Sequence, residues 1–278
     1  MQSPQQRAFA FVGTTLIPEN KVYLVGAGPG DPELLTVKAQ RLLRQADLVL
    51  HDDLVPTAIL SLAGTQAAVV NVGKRCGTKG VTQDEINARM IEAARRGLSV
   101  VRLKSGDPGI FGRLAEEIDA LEAAGIAYEI VPGITAGIAA AASVGVSLTD
   151  RRKAARVVIV TGHRAHSIRP EAKIDWKNLA REDATLVVYM PSHEFGNFRR
   201  ELLEAGLSSD IPAVIVSRAS TPEQQHQFTT IAGLPDLPRL ESPAILLIGR
   251  SLEGAHQRTT LEQLARAVGC AELTLSAD

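Results

Sequence analysis

Two rhythms of apolar residues alternate along this chain. Lys21–Val25 is a short apolar run that reads as a strand and ends in Gly26-Ala27-Gly28-Pro29-Gly30. Asp31 then offers a helix N-cap with Pro32 at the first helical position. Leu34, Leu35, Val37, Ala39, Leu42 and Leu43 give the helix that follows a one-sided apolar face. Leu48–His51 and Ala68–Val72 read as further strands. Thr82-Gln83-Asp84-Glu85 is a capping box opening a helix that closes at Gly97. Ser99–Lys104 is the next strand, Arg113–Ala124 a helix and Ala127–Val131 a strand. This alternation predicts an α/β domain with a largely parallel sheet.

The pattern then changes. Pro132–Val146 is small and apolar, and Asp150-Arg151-Arg152-Lys153 is a charged cluster. A second series of strands follows at Arg156–Thr161, Thr185–Met190, Ala213–Ser217 and Ala244–Gly249. Ser192 precedes a helix over His193–Ala205 that stops at Gly206. Gln225–Thr230 alternates polar residues, as an antiparallel or edge strand would. The fold class expected is α/β, with two α/β domains and the cleft between them as the ligand site. The expected division is a flexible extension over 1–18, a first domain over 19–132, a connector over 133–154, a second domain over 155–252 and a tail over 253–278.

Composition narrows the function. Lys plus Arg is 30 against 31 for Asp plus Glu, a net charge of −1 that gives no broad grip on nucleic acid. Cys76 and Cys270 are the only cysteines, too few for a disulfide framework or a four-cysteine metal site, so a reducing cytoplasm is expected. No metal is implied. Residues 1–18 carry Arg7 before an apolar stretch but no clear small-x-small cleavage site. Ile130–Thr149 is uncharged, yet it is built of Ala, Gly, Ser and Thr around Pro132, too weakly apolar for a membrane span. It reads as a buried, tightly packed connector.

Candidate chemistry sits in three loops. Gly26-x-Gly28-x-Gly30 invites a dinucleotide reading, but that fingerprint wants glycine where Asp31 stands. Asp31 would put negative charge where a pyrophosphate meets the helix N-terminus. A second loop, Lys104-Ser105-Gly106-Asp107-Pro108-Gly109-Ile110-Phe111-Gly112-Arg113, follows the fourth strand. A third, Val131-Pro132-Gly133-Ile134-Thr135-Ala136-Gly137, follows the fifth. Loops at strand C-termini of one sheet converge on the edge where open α/β sheets bind ligands. Asp107, on a stiff Gly-Asp-Pro turn, either presents its carboxylate to a ligand or caps the following helix.

Val22–Lys38, Asn71–Asn87, Val101–Glu117, Val131–Asp150 and Ser217–Gln224 together resemble the tetrapyrrole methylase family, in the branch that C-methylates uroporphyrinogen III. The likeness runs in order over about Lys21–Arg250. It implies a two-domain homodimer that takes S-adenosylmethionine as co-substrate and methylates uroporphyrinogen III at C2 and C7, through precorrin-1, to precorrin-2. The pathways served would be those to sirohaem, cobalamin or haem d1. The resemblance assigns cofactor contacts to Pro29, Ser105, Gly106, Asp107, Ile110, Thr135 and Ala136, and in the second domain to Met190, Ala219 and Ala244. It nominates Asp52 as proton acceptor and Lys74, in Gly73-Lys74-Arg75-Cys76-Gly77, as proton donor. Asp53 stands beside Asp52, and neighbouring strand residues face opposite ways, so only one of the two serves the site.

The substrate's eight carboxylates need cations, and Arg113 and Arg151 suit a two-pronged grip, with Lys74, Arg75 and Arg152 as further candidates. Glu116 would meet a pyrrole N–H or lie on an ordinary helix surface. The chain departs from the family pattern at Ser105, Leu114-Ala115, Asp150 and Pro191, where glycine, a glycine pair, histidine and glycine are usual. Two alternatives stand beside this reading. One is a sister methylase acting on a later corrin intermediate. The other is a non-catalytic nucleotide-binding module, which leaves Asp52, Lys74 and the basic cluster without a task.

Overall fold

Five parallel-type strands build the first sheet, and their order explains which loops meet. In the computed structural model, which describes residues 21–73, 81–162, 174–192 and 194–267, β1 is Lys21–Gly26, β2 Leu48–His51, β3 Ala68–Asn71, β4 Val100–Lys104 and β5 Ala127–Val131. They lie in the order β3-β2-β4-β1-β5, with β2 parallel to both β3 and β4, and β1 parallel to β5. The C-termini of β2, β3 and β4 therefore share one edge, as do those of β1 and β5, and the Gly28–Gly106 pairing just beyond β1 and β4 puts the two sets on the same side. The helices are α1 (Val37–Gln45), α2 (Thr57–Leu60), α3 (Gln83–Arg95) and α4 (Leu114–Ala123). The expected capping box opens α3: Glu85 N donates to Thr82 Oγ1 (3.2 Å), and Thr82 N donates to Glu85 Oε2 (2.6 Å).

The helix expected from Pro32 is broken in two. Asp31 caps only a 3-10 turn over Pro32–Leu34, whose end at Leu35 is extended (φ −69°, ψ 142°). Thr36 then caps α1 separately, its Oγ1 accepting from Ala39 N at 3.1 Å. Val37 is consequently exposed, whereas Ala39, Leu42 and Leu43 are buried. One face of the sheet carries Val22, Leu24, Leu50 and Val100 against Ile86 and Met90 of α3 and Leu121 of α4.

The second sheet joins β6 (Arg156–Thr161), β7 (Ala184–Tyr189), β10 (Ala244–Ile248), β8 (Pro212–Ser217) and β9 (Gln225–Thr230) in that order. Only the β6–β7 pair is parallel; β7–β10, β10–β8 and β8–β9 are antiparallel. The polar alternation of β9 fits its place at the antiparallel edge. One face packs Leu186, Val188, Ile215 and Leu246 against Trp176 of α6 (Trp176–Leu179) and Leu202 of α7 (Phe195–Glu204). The other packs Val187, Tyr189, Val214 and Leu247 against Ala140 and Ala141 of α5 (Ala136–Ser143) and Ala255 of α8 (Glu253–Ala267).

Thus the small-residue connector contains a helix, α5, whose Ala139, Ala140 and Ala141 are buried. Part of the expected tail is helix α8. The chain forms two compact units. The first holds 36–104 and 113–131 with β1 up to Val25; the second takes in Pro132 onward together with the loops Gly26–Leu35 and Ser105–Gly112. The N-terminal extension expected over 1–18 lies outside the described residues.

Candidate functional site

The loops that follow β1, β4 and β5 meet one another backbone to backbone. Gly28 N donates to Gly106 O at 3.1 Å, and Gly106 N donates back to Gly28 O at 2.8 Å. A Cβ on Gly26 would stand 2.6 Å from both Gly106 O and Gly133 N, so backbone fills the space that a side chain would need. Gly28 and Gly106 also take positive φ (70° and 66°). These glycines satisfy a three-loop backbone junction, a task that a single turn does not set.

Asp107 ties this junction together. Its Oδ1 accepts from Gly109 N (2.8 Å) and its Oδ2 from Gly133 N (2.9 Å). The carboxylate turns its own loop and clamps the β5 loop, and the alternative of capping the following helix is not taken: Arg113 occupies that N-cap position, and no side-chain capping bond forms there. Each oxygen keeps a lone pair that can accept from an ammonium group. Ser105 and Pro29 flank the junction in partly buried positions.

Sequence reasoning missed Tyr189, which orders the third loop. Its buried hydroxyl lies 2.7 Å from Thr135 Oγ1 and accepts from Gly137 N at 2.7 Å, at the opening of α5. A Cβ on Gly137 would lie 2.7 Å from that hydroxyl, so glycine is required there. The ring of Phe111, in the β4 loop, stands 5.1 Å from the Tyr189 ring. Ile110, Ala136 and Ala219 pack on the same apolar cluster. Ala244 does not join them: its side chain packs with the core on the opposite face of the sheet.

Left-handed backbone recurs in the β4 loop and in the loops after β7 and β8. Phe111 (φ 53°), Met190 (φ 49°), Arg218 (φ 48°) and Ser220 (φ 65°) are non-glycine residues in the left-handed region, each beyond the end of a strand. Met190 is about half exposed (48%) and Phe111 nearly so (44%). Strained, exposed apolar residues beside a backbone-lined junction and one carboxylate suit a ligand with a flat heterocycle and an amino acid end. The residues present therefore fit S-adenosylmethionine.

A separate charged cluster lies in the first unit. Arg102, Lys104 and Glu117 are 3%, 2% and 0% exposed. Arg102 and Lys104 continue the Val100 face of β4, alternating with Val101 and Leu103. Arg102 Nε donates to Glu117 Oε1 at 2.9 Å, and its Nη2 pairs with Asp52 Oδ1. Lys104 Nζ lies 2.9 Å from each Glu117 oxygen, hydrogen-bonding to Oε1. Burial pulls the Arg102 guanidinium down, but Asp52 and Glu117 outweigh it and hold it above its ordinary value. Lys104 is held below the usual lysine range by burial and then by Arg102, against Glu117 and Asp52.

The two neighbouring aspartates turn apart, though both lie just beyond β2 rather than in it. Asp52 meets Arg102, whereas Asp53 Oδ1 accepts from Asn71 Nδ2 at 3.1 Å. Arg113 takes φ 56° and forms a two-pronged pair with Glu116, with Nε–Oε1 at 2.7 Å and Nη2–Oε2 at 2.5 Å. Glu116, through that hydrogen bond first, raises the Arg113 guanidinium above its ordinary value. Glu116 is thus an exposed partner of Arg113. Arg151 is exposed on the turn joining Asp150 to Ala154, while Asp150 pairs with Arg152. Lys74 and Arg75 lie outside the described residues. Among the described residues, no group of three or more His, Cys, Asp and Glu side chains could hold a metal ion, and no helix is long and apolar enough to cross a membrane.

Comparison with known proteins adds an independent line. Residues 21–235 match the family described as Tetrapyrrole (Corrin/Porphyrin) Methylases. A uroporphyrinogen-III C-methyltransferase of Synechocystis sp. is 42% identical over 253 residues, 90% of this chain and 95% of that protein. A crystal structure of uroporphyrin-III C-methyl transferase from Thermus thermophilus, complexed with S-adenyl homocysteine, shares 37% identity at a TM-score of 0.72, covering 84% of this chain and 99% of that one. The X-ray structure of a cobalt precorrin-4 methyltransferase of cobalamin biosynthesis superposes with a TM-score of 0.76 at 33% identity, covering 86% and 99%.

Proposed function

The chain belongs to the tetrapyrrole methylase family, and from that premise we infer that it transfers methyl groups from S-adenosylmethionine to C2 and C7 of uroporphyrinogen III, through precorrin-1, giving precorrin-2. The observation that carries this reading is the likeness to uroporphyrinogen-III C-methyltransferases along nearly the whole of both chains. The slightly higher structural score of the cobalt precorrin-4 enzyme favours the sister reading, but its lower identity, 33% against 37%, weighs the other way.

A porphyrinogen pyrrole is electron-rich. Its ring carbon attacks the sulfonium methyl, the C–S bond breaks, and S-adenosylhomocysteine leaves with the electron pair. The protein's part is to hold carbon, methyl and sulfur in line and to exclude water. The Gly106–Gly133 junction with Asp107, Thr135 and Ala136 receives the amino acid end of S-adenosylmethionine; Ile110, Met190 and Ala219 supply apolar walls. Ala244 contributes through its backbone, since its side chain faces away. Asp52 removes the proton from the methylated ring and Lys74 returns one to the macrocycle. Arg113 and Arg151 neutralise substrate carboxylates, and Arg113 exchanges Glu116 for the substrate when it binds.

The working form is a homodimer in the cytoplasm, and light scattering of the purified protein tests the assembly. Incubation with uroporphyrinogen III and methyl-labelled S-adenosylmethionine, read by mass spectrometry, tests the reaction. Two added methyl groups support it. Transfer only to a later precorrin substrate supports the sister reading instead.

A further inference from the structure

The reaction needs a carboxylate, but nothing in it asks for three charged side chains sealed inside the first unit. Buried ion pairs are weak stabilisers, and well-packed apolar residues replace them at little or no cost. Val100 on the same face of β4 joins an apolar cluster with Leu24 and Leu50, and the one polar α3 side chain bonded to the charged group is Gln83, whose Nε2 donates to Glu117 Oε1 at 3.4 Å; among the described residues the fold itself gives little call for buried charge. What the charged version does is reach Asp52. Glu117 fixes Arg102 through Nε at 2.9 Å, and two backbone carbonyls, Leu50 O at 3.3 Å and Leu103 O at 3.2 Å, accept from Nη1. With Nε and Nη1 held, Nη2 has one direction left, and Asp52 lies in it. Lys104 balances the second charge of the group by pairing with Glu117.

We propose that Arg102 is a positioning residue for the methylation: clamped by Glu117, it sets the orientation of the Asp52 carboxylate for proton removal. The proposal rests on Asp52 being the proton acceptor. Among the described residues, Arg102 meets Asp52, with Lys104 of β4 and Glu117 of α4 behind it, and His51 Nδ1 lies 2.9 Å from the Asp52 carbonyl. Guanidinium is suited to this task because its planar fork serves two carboxylates at once, which an ammonium cannot do with the same geometry.

The test measures kcat, KM for uroporphyrinogen III and calorimetric affinity for S-adenosylhomocysteine in Arg102→Met, Arg102→Lys, Asp52→Asn and the double variant Asp52→Asn/Arg102→Met. Loss of a charged hydrogen-bond partner predicts a fall in kcat of about tenfold or more for Arg102→Met, with KM and affinity within about twofold of the starting protein. Arg102→Lys should fall between the two. In the Asp52→Asn background, Arg102→Met should cost less than about twofold further, because the group it orients is already gone.

Equal losses in both backgrounds, or a loss of cofactor affinity with kcat intact, would overturn the proposal and make Arg102 structural. Full activity in Asp52→Asn would overturn the reading on which the proposal rests, and the proposal with it. If Arg102→Met does not fold, Arg102→Lys decides the matter, since it keeps a buried cation. Unchanged kcat in folded Arg102→Lys overturns the proposal, and a several-fold fall in kcat at constant KM upholds it.

Discussion

Replacing Gly26 with alanine tests the three-loop junction directly. Gly26 ends β1, and an added Cβ would meet Gly106 O and Gly133 N at 2.6 Å and the Gly133 Cα at 2.7 Å. Carbon contacts settle near 3.5–4.0 Å, so the β4 and β5 loops must each retreat by roughly 1 Å. All three atoms are backbone, and no flexible side chain can move aside. Retreat strains the Gly28–Gly106 pair of hydrogen bonds and the Asp107–Gly133 bond. Overpacking of this kind costs about 1–3 kcal/mol.

Because the strain falls on the loops that receive the cofactor, affinity should carry it. About 1–3 kcal/mol corresponds to a loss of roughly five- to 150-fold for S-adenosylhomocysteine in a calorimetric titration. Gly125→Ala is the control. Its φ is 67° and its Cβ would have nothing within 4 Å, so it reports only the cost of a left-handed alanine, about 1–2 kcal/mol of stability, with affinity intact. Gly26→Ala with ordinary affinity and melting temperature would refute the idea that backbone crowding builds the site.

Tyr189→Phe keeps the ring but leaves Gly137 N and Thr135 Oγ1 without their shared partner, so cofactor affinity should drop about tenfold or more while the fold persists; equal affinity in calorimetry would remove Tyr189 from the site. Asp107→Ala should abolish measurable S-adenosylmethionine binding in a protein that remains folded by circular dichroism, and unchanged binding would count against its proposed role. Arg113→Ala and Arg151→Ala should each lower precorrin-2 formation about ten- to hundredfold below saturation, with S-adenosylmethionine still bound; normal turnover rules out that arginine. Asp150 is held down to about 2 by the Arg152 side chain and then its backbone N–H, and Glu129 is lowered by Lys21 and then Lys38. Depressed carboxylates stabilise the fold above their ordinary range and lose that effect as pH falls through the folded value. The melting temperature should therefore decline modestly between about pH 4 and 2, these groups being solvent-screened; a rise over that window contradicts the assignment.

The strands and the three loops were legible in the sequence because both signals are local: apolar runs for the strands, Gly and Pro at their ends for the loops. Other features depend on what lies across space. The expected single helix after Asp31 fails because Thr36 competes successfully as a cap, a hydroxyl three residues before Ala39. Helix α5 has no polar face to give it a period, since its alanines pack against the second sheet. Tyr189 reads as one more position of the apolar strand over Thr185–Met190, and nothing nearby in sequence marks its hydroxyl as a clamp. Arg102 and Lys104 leave one clue in the sequence: two cations at alternate positions, on one face of a strand whose other residues are all apolar. Their partner Glu117 comes from a helix that only the fold brings under that strand.

The path of the chain between its two units has a consequence for heredity. It passes from one to the other five times, at 25/26, 35/36, 104/105, 112/113 and 131/132. A recombination event that joined foreign sequence at any of the last four points would divide at least one glycine loop from the segment beginning at Pro132, and one at 25/26 would cut β1 from the rest of its own unit. Neither half can be traded as a cassette, as contiguous domains often are. New specificity in such a protein must come from substitutions within the loops, and descendants should keep the whole arrangement or lose it together.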